Sequence, residues 1–419
     1  MYLKRLEIRN YMVHRSTSIE LDPVTVFVGP NNGGKSALFD ALLNFSMVSR
    51  GRLSEAFGPG PFSFSARRHH GTSRNSRVGF ETTMAESSTD ERDLTYSVAY
   101  AQQGGGDAPR LAIYEEELRD SAGHVIFSRA DPDSSTIPSA LPYVTEDQTI
   151  LAAIRRAQIA GRYEETDALV THCAREVSKI TRFRLDPHAL AQPSKIPDVP
   201  TESIELSGLG KSSDPTYQTP RLDYRGFGLA SVLYYLHATE NPELATLIGE
   251  LSDVLVGFDG FEFNSVETDR IGFSARFSDA RGTVAAANLS DGTLSMLGLA
   301  VLLHGATKPP VMCIEEPENG LTPRSVRYLY EAIRAVAHPS AAAPSQILIS
   351  SHSPFIITEA WNGPERDFIY QVKSDHGSAV VRRFRDVITA QGIHLAVEGG
   401  VRDGLSLRTA DEVMAGYWS

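Results

Sequence analysis

Cysteine is nearly absent from this chain of 419 residues: the only two, Cys173 and Cys313, lie far apart and lack metal-ligand spacing. This scarcity excludes a disulfide framework and predicts a reducing compartment. Long hydrophobic runs are also missing, since the most apolar helix candidate, residues 294–303, is shorter than the ~20 residues that cross a bilayer. Residues 1–9 alternate apolar and charged side chains without a signal-peptide core. We therefore expect a cytoplasmic protein that does not enter a membrane.

An excess of positive charge is lacking too, because 52 acidic residues outnumber 40 Lys and Arg for a net charge of −12. Non-specific DNA affinity is built from Lys and Arg on phosphates, so the net charge opposes general binding of nucleic acid over the surface, although it does not exclude a local basic groove. The favoured interpretation of the densest basic cluster is a solvated loop. That cluster consists of Arg67, Arg68, His69, His70, Arg74 and Arg77. Neither an internal repeat nor a sustained heptad occurs, which argues against a long coiled-coil arm.

The most informative stretch is GPNNGGKS at residues 29–36, which matches the phosphate-loop pattern G-x-x-x-x-G-K-[ST]. An apolar run at 24–28 predicts a buried strand before it, and 36–48 has helical spacing after it. Glycines let successive N–H groups turn inward, and the new helix directs its positive dipole end at the same point. An ordinary glycine-rich turn is the alternative, and the strand–loop–helix context disfavours it.

This motif predicts binding of ATP with Mg²⁺. Lys35 would reach the β- and γ-phosphates, and the Ser36 hydroxyl would hold the metal ion. The predicted nucleotide-binding residues of the loop are Gly29, Asn31, Asn32, Gly33, Gly34, Lys35, Ser36 and Ala37.

A second motif, IEEPENGL, ends an apolar run that begins at residue 311. A buried strand here would deliver two acids to the edge of a sheet. Glu315 is predicted to hold Mg²⁺ together with Ser36, and Glu316 to act as general base on the attacking water. By itself such a run also fits a strand that ends in solvated acids. The catalytic interpretation of the two acids therefore depends on the presence of the phosphate loop in the same chain.

Two further motifs lie on either side of the acids. NLSDGTL at residues 288–294 opens a helix, where Ser290 or Asp291 fits an ordinary N-cap. The functional alternative is a second helix terminus that binds a γ-phosphate through Ser290 and Gly292. The apolar run 346–351 ends at His352, which is expected to be exposed as a γ-phosphate sensor.

The remaining patterns outline the architecture. Residues 2–9 and 17–28 predict strands, and 51–76 an irregular connection. Alternating segments predict an antiparallel meander at 77–85, 94–101, 110–118 and 124–128. Helices are expected within 145–183, at 229–236 and at 242–255, strands at 258–266 and 272–277, and a loop-rich segment at 187–220. The predicted divisions are an N-terminal ATPase lobe at 1–129, an insertion at 130–224, a C-terminal ATPase lobe at 225–385 and a tail at 386–419.

In this order the motifs resemble the ABC-type ATPase head shared by SMC proteins, RecF and the OLD (overcoming lysogenisation defect) ATPases. The likeness is greatest to the OLD-like class of AAA-labelled ATPases. It rests on LEIRNY at residues 6–11, on the phosphate loop, and on LSDGT, IEEPENGL and SSHSP. It covers roughly residues 1–50, 77–129 and 225–372. The resemblance implies an α/β P-loop NTPase fold, an ABC-ATPase-like head with an antiparallel β subdomain and a mainly helical insertion.

The resemblance also implies that two heads meet head to tail, as a homodimer or a higher homo-oligomer. Two ATP molecules would then lie between the phosphate loop of one head and the Ser290 signature of the other. Lys35, Glu316 and His352 would be catalytic, with His352 as the switch, and residues 319–321 would span the dimer.

This sequence departs from the family in two places. Thr322 stands where many relatives have His, and no glutamine loop can be assigned among Gln102, Gln103 and Gln148.

OLD nucleases continue into a Toprim domain, whereas the 67 residues after His352 contain no D-x-D pair. This chain is therefore not expected to cut DNA by itself. The leading hypothesis is an ATPase that regulates a separately encoded effector, a nuclease or toxin, in bacterial anti-phage defence. The alternative is a RecF- or SMC-like ATP-gated DNA-binding clamp in DNA repair. The insertion at 130–224 fits partner binding, oligomerisation or sensing, and equally a structural buttress.

Overall fold

A computed structural model of the chain describes residues 1–73, 76–103, 110–131, 134–136, 141, 144–162, 167–197, 219–304, 308–341, 343–391, 396–398 and 401–415. Its strands are β1 Tyr2–Tyr11, β2 His14–Glu20, β3 Val24–Val28, β4 Val78–Ala85, β5 Leu94–Gln103, β6 Arg110–Asp120, β7 Val125–Asp131, β8 Ser134–Thr136, β9 Thr181–Phe183, β10 Ser194–Lys195, β11 Phe258–Glu267, β12 Arg270–Phe277, β13 Thr283–Ala285, β14 Val311–Glu315, β15 Gln346–Ser351, β16 Ile369–Asp375, β17 Ser378–Arg383, β18 Ala396–Glu398 and β19 Val401–Gly404. Its α-helices are α1 Lys35–Val48, α2 Leu53–Ala56, α3 Phe64–Arg67, α4 Ile150–Ile159, α5 Ala168–Glu176, α6 Pro187–Leu190, α7 Leu229–Ala238, α8 Pro242–Val254, α9 Asp291–His304, α10 Pro323–Ala337, α11 Pro354–Trp361, α12 Phe384–Ala390 and α13 Leu407–Ala415.

The chain divides into two compact units, each built from segments that are discontinuous in sequence. The first comprises Met1–Arg182, Pro309–Ile314 and Ala337–Ser419. The second comprises Phe183–Lys308 and Glu315–Val336.

An antiparallel sheet in the first unit has the strand order β2-β1-β4-β5-β6-β7-β8. From β4 to β7 each strand pairs with the next along the chain, which confirms the predicted meander. The alternation that predicted these strands reflects burial. In β5, for instance, Tyr96, Val98 and Tyr100 are buried, while Thr95 and Ser97 on the other face are partly exposed.

The other large sheet has the order β17-β16-β3-β15-β14-β9. All five residues of β3 are buried, as expected for the continuous apolar run at 24–28. β3 pairs in parallel with β15 on one side and with β16 on the other. The strand that leads into the phosphate loop is therefore internal to its sheet.

The single strand predicted at 17–28 is wrong, because the chain forms two strands there that belong to different sheets. Pro23 has no N–H for a strand ladder, so pairing is interrupted at this point. A local turn occupies the gap: the Asp22 N–H donates to Thr25 Oγ1 at 2.9 Å, and that hydroxyl donates to the Asp22 carbonyl at 3.3 Å. The chain therefore changes sheets at Pro23, one strand before the phosphate loop.

Helices α4 and α5 confirm the helical spacing of residues 145–183, although this stretch ends in the strand β9. The connection expected to be irregular at 51–76 contains the short helices α2 and α3. Most of the loop-rich segment predicted at 187–220 lies outside the described residues.

A buried carboxylate joins the antiparallel sheet to α4. Glu116 is 1% exposed and accepts hydrogen bonds from the N–H groups of Ile150 at 2.8 Å and Leu151 at 3.2 Å. The Tyr96 hydroxyl donates to it at 2.9 Å. Burial raises the pKa of Glu116, while Arg129 and the two helix N–H groups oppose that shift. The carboxylate thus supplies the acceptors that the first turn of α4 lacks.

In the second unit β10, β12 and β11 form a sheet, with β13 also paired to β12. Helices α7 and α8 and strands β11 and β12 lie where the sequence predicts them. Helix α9 is buried from Leu294 to Leu303, which explains why its apolar residues occur on all sides. Among the described residues no helix is long and apolar enough to cross a membrane.

Replacing Glu116 with Ala should lower the free energy of unfolding by about 3 kcal/mol, because two helix N–H groups and a buried hydroxyl lose their acceptor. Urea unfolding measures this change. Glu117→Gln is the matched control, since the neighbouring carboxylate pairs with the half-exposed Arg119. That control should change the same free energy by less than about 0.5 kcal/mol. Equal losses in the two variants would contradict the capping role.

Candidate nucleotide-binding site

The phosphate loop connects the end of β3 to the start of α1 and alternates between left- and right-handed backbone. The φ angles are 147° at Gly29, 63° at Asn32 and 113° at Gly34. Glycine adopts such angles without a Cβ clash, and Asn is among the residues that best tolerate the left-handed region. The Gly33 N–H donates to the Pro30 carbonyl at 3.2 Å, which closes a turn within the loop. Alternation of this kind turns successive N–H groups toward one concave side, where an anion binds.

Glycine at positions 29 and 33 is required by the strand beneath the loop. A Cβ on Gly29 would overlap the carbonyl oxygen of Val372, and one on Gly33 would lie 2.5 Å from it. At Gly34 a Cβ would lie 2.9 Å from the Cβ of Ala379. The β16–β17 hairpin, which contains Val372 and Ala379, therefore forms the floor of the loop.

The N-terminus of α1 is suited to an anion. Its N-cap, Gly34, provides no side-chain hydrogen bond, and the first turn contains no acidic residue. The first N–H groups of a helix have no intrahelical acceptor and carry the positive end of its dipole. Ser36 is exposed in this turn, and Ala37 is buried. These features fit the phosphates of a nucleotide.

The predicted phosphate-binding lysine lies over the loop. Lys35 is only 6% exposed, and its ammonium donates to the carbonyls of Gly29 at 2.7 Å and Pro30 at 3.0 Å. A buried ammonium needs such acceptors. Phosphate oxygens would provide stronger, charged ones at the same mouth of the loop.

His352 reaches the same edge of the sheet. In the parallel pairing of β15 with β3, Ser351 is the register partner of Val28. His352 and Gly29 are thus the next residues after paired positions on neighbouring strands. His352 is exposed, as predicted, and lies in a short turn where Ser353 caps α11.

The two acids differ in environment. Glu315, the last residue of β14, is 4% exposed. Glu316 follows with a φ of 46°, a left-handed conformation that is rare for Glu and often found at functional sites. The Asn319 side-chain amide donates to Glu316 Oε2 at 3.0 Å, and the Arg184 guanidinium lies 3.8 Å from the same oxygen. This carboxylate is therefore held in place by its own turn.

The LSDGT signature forms the start of α9. The Thr293 N–H donates to Ser290 Oγ at 3.2 Å, so Ser290 rather than Asp291 caps the helix. A Cβ on Gly292 would overlap the carbonyl oxygen of Gly320, whose own φ is 78°. The signature and the loop after the acids therefore pack backbone to backbone.

The predicted site residues thus fall into two groups. The first unit brings the phosphate loop and His352 to one sheet edge, and the second unit holds Ser290 and Gly292 against the turn that follows Glu316. Within the described residues no group of three or more His, Cys, Asp or Glu could hold a metal ion. Mg²⁺ at nucleotide sites usually needs only one or two protein ligands besides phosphates. Ser36 and Glu315 therefore stay the predicted ligands.

The basic cluster is not a solvated loop throughout. Arg67 is 8% and His69 6% exposed. The Arg67 guanidinium lies 3.1 Å from the Asp40 carboxylate on α1, and His69 Nε2 lies 3.0 Å from Ser378 Oγ. The expectation is wrong for these two side chains, because both are buried and have polar partners within the first unit.

Sequence reasoning missed the residues that support the loop from distant segments. Val372 acts through its carbonyl oxygen, which no sequence pattern marks. Ala379 is one small residue of an ordinary strand. His14 is buried next to the loop, with its Nε2 3.1 Å from the Gly34 carbonyl oxygen. The one signal for His14 in the sequence was a polar residue at a strand position whose alternation predicts burial.

Two family models match the chain. One is described as AAA domain, putative AbiEii toxin, Type IV TA system, and matches residues 203–358. The other is described as AAA ATPase domain and matches residues 1–94. No curated protein matched the chain.

Solved structures of similar fold include an Smc head bound to the C-winged helix domain of ScpA. It has a TM-score of 0.53 and 11% identity, covering 92% of this chain and 99% of that one. Another is an Smc head domain with an extended coiled coil bound to the C-terminal domain of ScpA, derived from Pyrococcus furiosus. It has a TM-score of 0.51 and 10% identity, covering 93% of this chain and 98% of that one.

The chain has the fold of an SMC-head P-loop ATPase. Both family matches are to AAA-type domains, one of them described as an ATPase domain, and the fold agrees with an ATPase of this kind. The predicted fold class is thereby confirmed. The OLD-like assignment and the roles of individual residues stay predictions.

Gly29→Ala should destabilise the first unit by more than its backbone strain alone, because the new Cβ would overlap the Val372 carbonyl. We expect a loss of about 2–4 kcal/mol in the free energy of unfolding, measured by urea titration. Gly123→Ala is the matched control: its φ is also positive, at 85°, but a Cβ there meets nothing within 4 Å. If both variants lose the same free energy, the close approach to Val372 does not constrain the loop.

Proposed function

We propose that this protein binds ATP with Mg²⁺ at the phosphate loop and hydrolyses it to ADP and phosphate. The observation that carries the proposal is the loop itself. Three residues with positive φ, an α1 N-terminus without an acid or a side-chain cap, and the buried ammonium of Lys35 converge on one concave site. Such an arrangement of N–H donors and positive charge favours binding of a polyphosphate over binding of a neutral ligand.

Binding follows from these groups. The inward N–H groups of the loop and of the first turn of α1 donate hydrogen bonds to the phosphate oxygens, and the Lys35 ammonium moves from the loop carbonyls to phosphate oxygens. Ser36 and Glu315 would hold Mg²⁺, which neutralises the charge on the phosphates when it is bound. Phosphoryl transfer depends mainly on positioning and electrostatic stabilisation of the phosphates. The groups that bind the phosphates would therefore contribute most of the rate enhancement.

Glu316 is the proposed general base, which orients and deprotonates the attacking water. Its carboxylate is held by Asn319, so little freedom is lost when the site assembles. The exposed His352, next in register to Gly29, is proposed to sense the γ-phosphate.

We further propose that two copies pair head to tail, so that Ser290 and Gly292 of one copy contact the ATP held by the other. The resemblance to ABC-type heads motivates this arrangement. Ser290 is exposed at the N-terminus of α9, as a contact with a second molecule requires.

The proposed role of ATP turnover is to regulate a separately encoded effector in a bacterial defence system. One matching family model is described by a putative toxin of a type IV toxin–antitoxin system, which supports a toxin-type setting. The two Smc heads of similar fold are each described as bound to a domain of ScpA, which supports a protein partner. For the insertion at 130–224, contact with the effector, oligomerisation, sensing and a structural buttress all stay open.

Lys35→Ala should weaken ATP binding by about 100-fold or more, since one positive charge on the phosphate oxygens is lost. Isothermal titration calorimetry with ATP and Mg²⁺ measures the dissociation constant. Lys373→Ala removes an exposed lysine next to Val372 and should leave that constant unchanged. ATP affinity retained in Lys35→Ala would count against the site.

Glu316→Gln should keep ATP binding but slow phosphate release by about 100-fold, because the amide cannot accept the proton of the water. Because ATP is then hydrolysed too slowly to separate the two paired heads, light scattering should show a dimer that persists with ATP. Glu331→Gln, an exposed acid on α10, is the control and should turn over normally. Unchanged turnover in Glu316→Gln contradicts the base assignment, and a monomer with ATP contradicts the pairing of heads.

A further inference from the structure

His14 is a buried histidine beside the phosphate loop. It begins β2, directly after the turn that follows β1, and its side chain is fully buried. Its Nδ1 lies 2.9 Å from Thr17 Oγ1, and its Nε2 lies 3.1 Å from the carbonyl oxygen of Gly34. Both ring nitrogens therefore have partners, and one partner belongs to the phosphate loop.

The partners determine which ring nitrogen carries the proton. Burial lowers the pKa of His14 to about 4, opposed by the Gly34 carbonyl and reinforced by nearby His69, so the ring is neutral near pH 7. A neutral imidazole has one N–H. The Gly34 oxygen can only accept, so Nε2 carries the hydrogen and Nδ1 accepts from the Thr17 hydroxyl. The ring is thereby fixed in one tautomer and one orientation.

The Gly34 carbonyl belongs to the same peptide unit as the Lys35 N–H. A trans peptide is planar, with its C=O and N–H directed to opposite sides. A hydrogen bond that holds the Gly34 oxygen on one side therefore directs the Lys35 N–H to the other. The Gly34 oxygen also accepts from the Leu38 N–H at 3.0 Å, the first hydrogen bond of α1, so His14 is its second donor and restrains the peptide plane from outside the helix.

We propose that His14 is a positioning residue of the phosphate loop: it holds the Gly34 carbonyl and so aims the Lys35 N–H at the bound phosphate. Val13 and Ala379 complete this support. The Ala379 N–H donates to the Val13 carbonyl at 2.7 Å, and both side chains lie against Gly34. His14 thus joins the β1–β2 turn to the residue that starts α1. This role deepens the proposed ATPase function and depends on it.

The test compares His14→Ala with His14→Gln, whose side-chain amide can still donate to the Gly34 oxygen. Calorimetry should show ATP affinity about tenfold weaker in His14→Ala, the effect of one lost hydrogen bond. His14→Gln should recover most of that loss. Tyr96→Phe is the control for general destabilisation, because it removes a buried hydrogen bond to Glu116 in the same unit. Its ATP affinity should equal that of the unaltered chain.

Nitrogen-15 NMR of the unaltered chain provides a readout that needs no nucleotide. The His14 ring should show protonated Nε2 and bare Nδ1, and the Lys35 amide signal should shift in His14→Ala and return in His14→Gln. Undiminished ATP affinity in folded His14→Ala, or protonation at Nδ1, overturns the inference. An unaltered chain that binds no ATP would instead refute the proposed function, while the ring and amide signals still decide the role of His14.

Discussion

The close approach of the phosphate loop to the carbonyl oxygen of Val372 is the constraint on which the site depends. It excludes side chains at Gly29 and Gly33, and so leaves a loop of bare backbone whose N–H groups can converge. It also requires β16 to lie beside β3 in parallel register, with Gln371 opposite Val28. The phosphate loop therefore depends on the buried sheet for its conformation, and the order of the strands determines where an anion can bind.

In each unit a charged side chain of the predicted site is held by neutral carbonyl or amide groups. Lys35 is buried on two carbonyls, and Glu316 is held by the amide of Asn319 in a left-handed turn. The Lys35 ammonium can exchange its two carbonyl acceptors for phosphate oxygens at small cost, since a hydrogen bond to a neutral acceptor gives way to one with a charged acceptor. A buried ammonium with neutral acceptors is the electrostatic arrangement expected of a polyphosphate-binding site.

Much of the fold and half of the site could be predicted because their signals are local. The strand, loop and helix around Gly29 lie within a single stretch, and the meander from β4 to β7 shows a period of two. The break at Pro23 was missed because apolar residues continue on both sides of it. Arg67 was misplaced because its partner, Asp40, lies on another element.

What could not be predicted depends on contacts between segments far apart in the chain. Val372 contributes only a carbonyl oxygen, and every residue has one. His14 was hidden for a similar reason: its function follows from the Gly34 peptide, which reaches it only after β1 and β2 have paired. The acids and the signature could be singled out because carboxylates and a serine at a helix start are recognisable residue types, and their roles stay predictions.

The most direct test of the account is a structure of the chain determined with a slowly hydrolysed ATP analogue and Mg²⁺. In that structure the phosphates should contact the N–H groups at residues 33–36, and the Lys35 ammonium should have left the carbonyls of Gly29 and Pro30 for phosphate oxygens. A nucleotide bound elsewhere, with Lys35 still on those carbonyls, would contradict it.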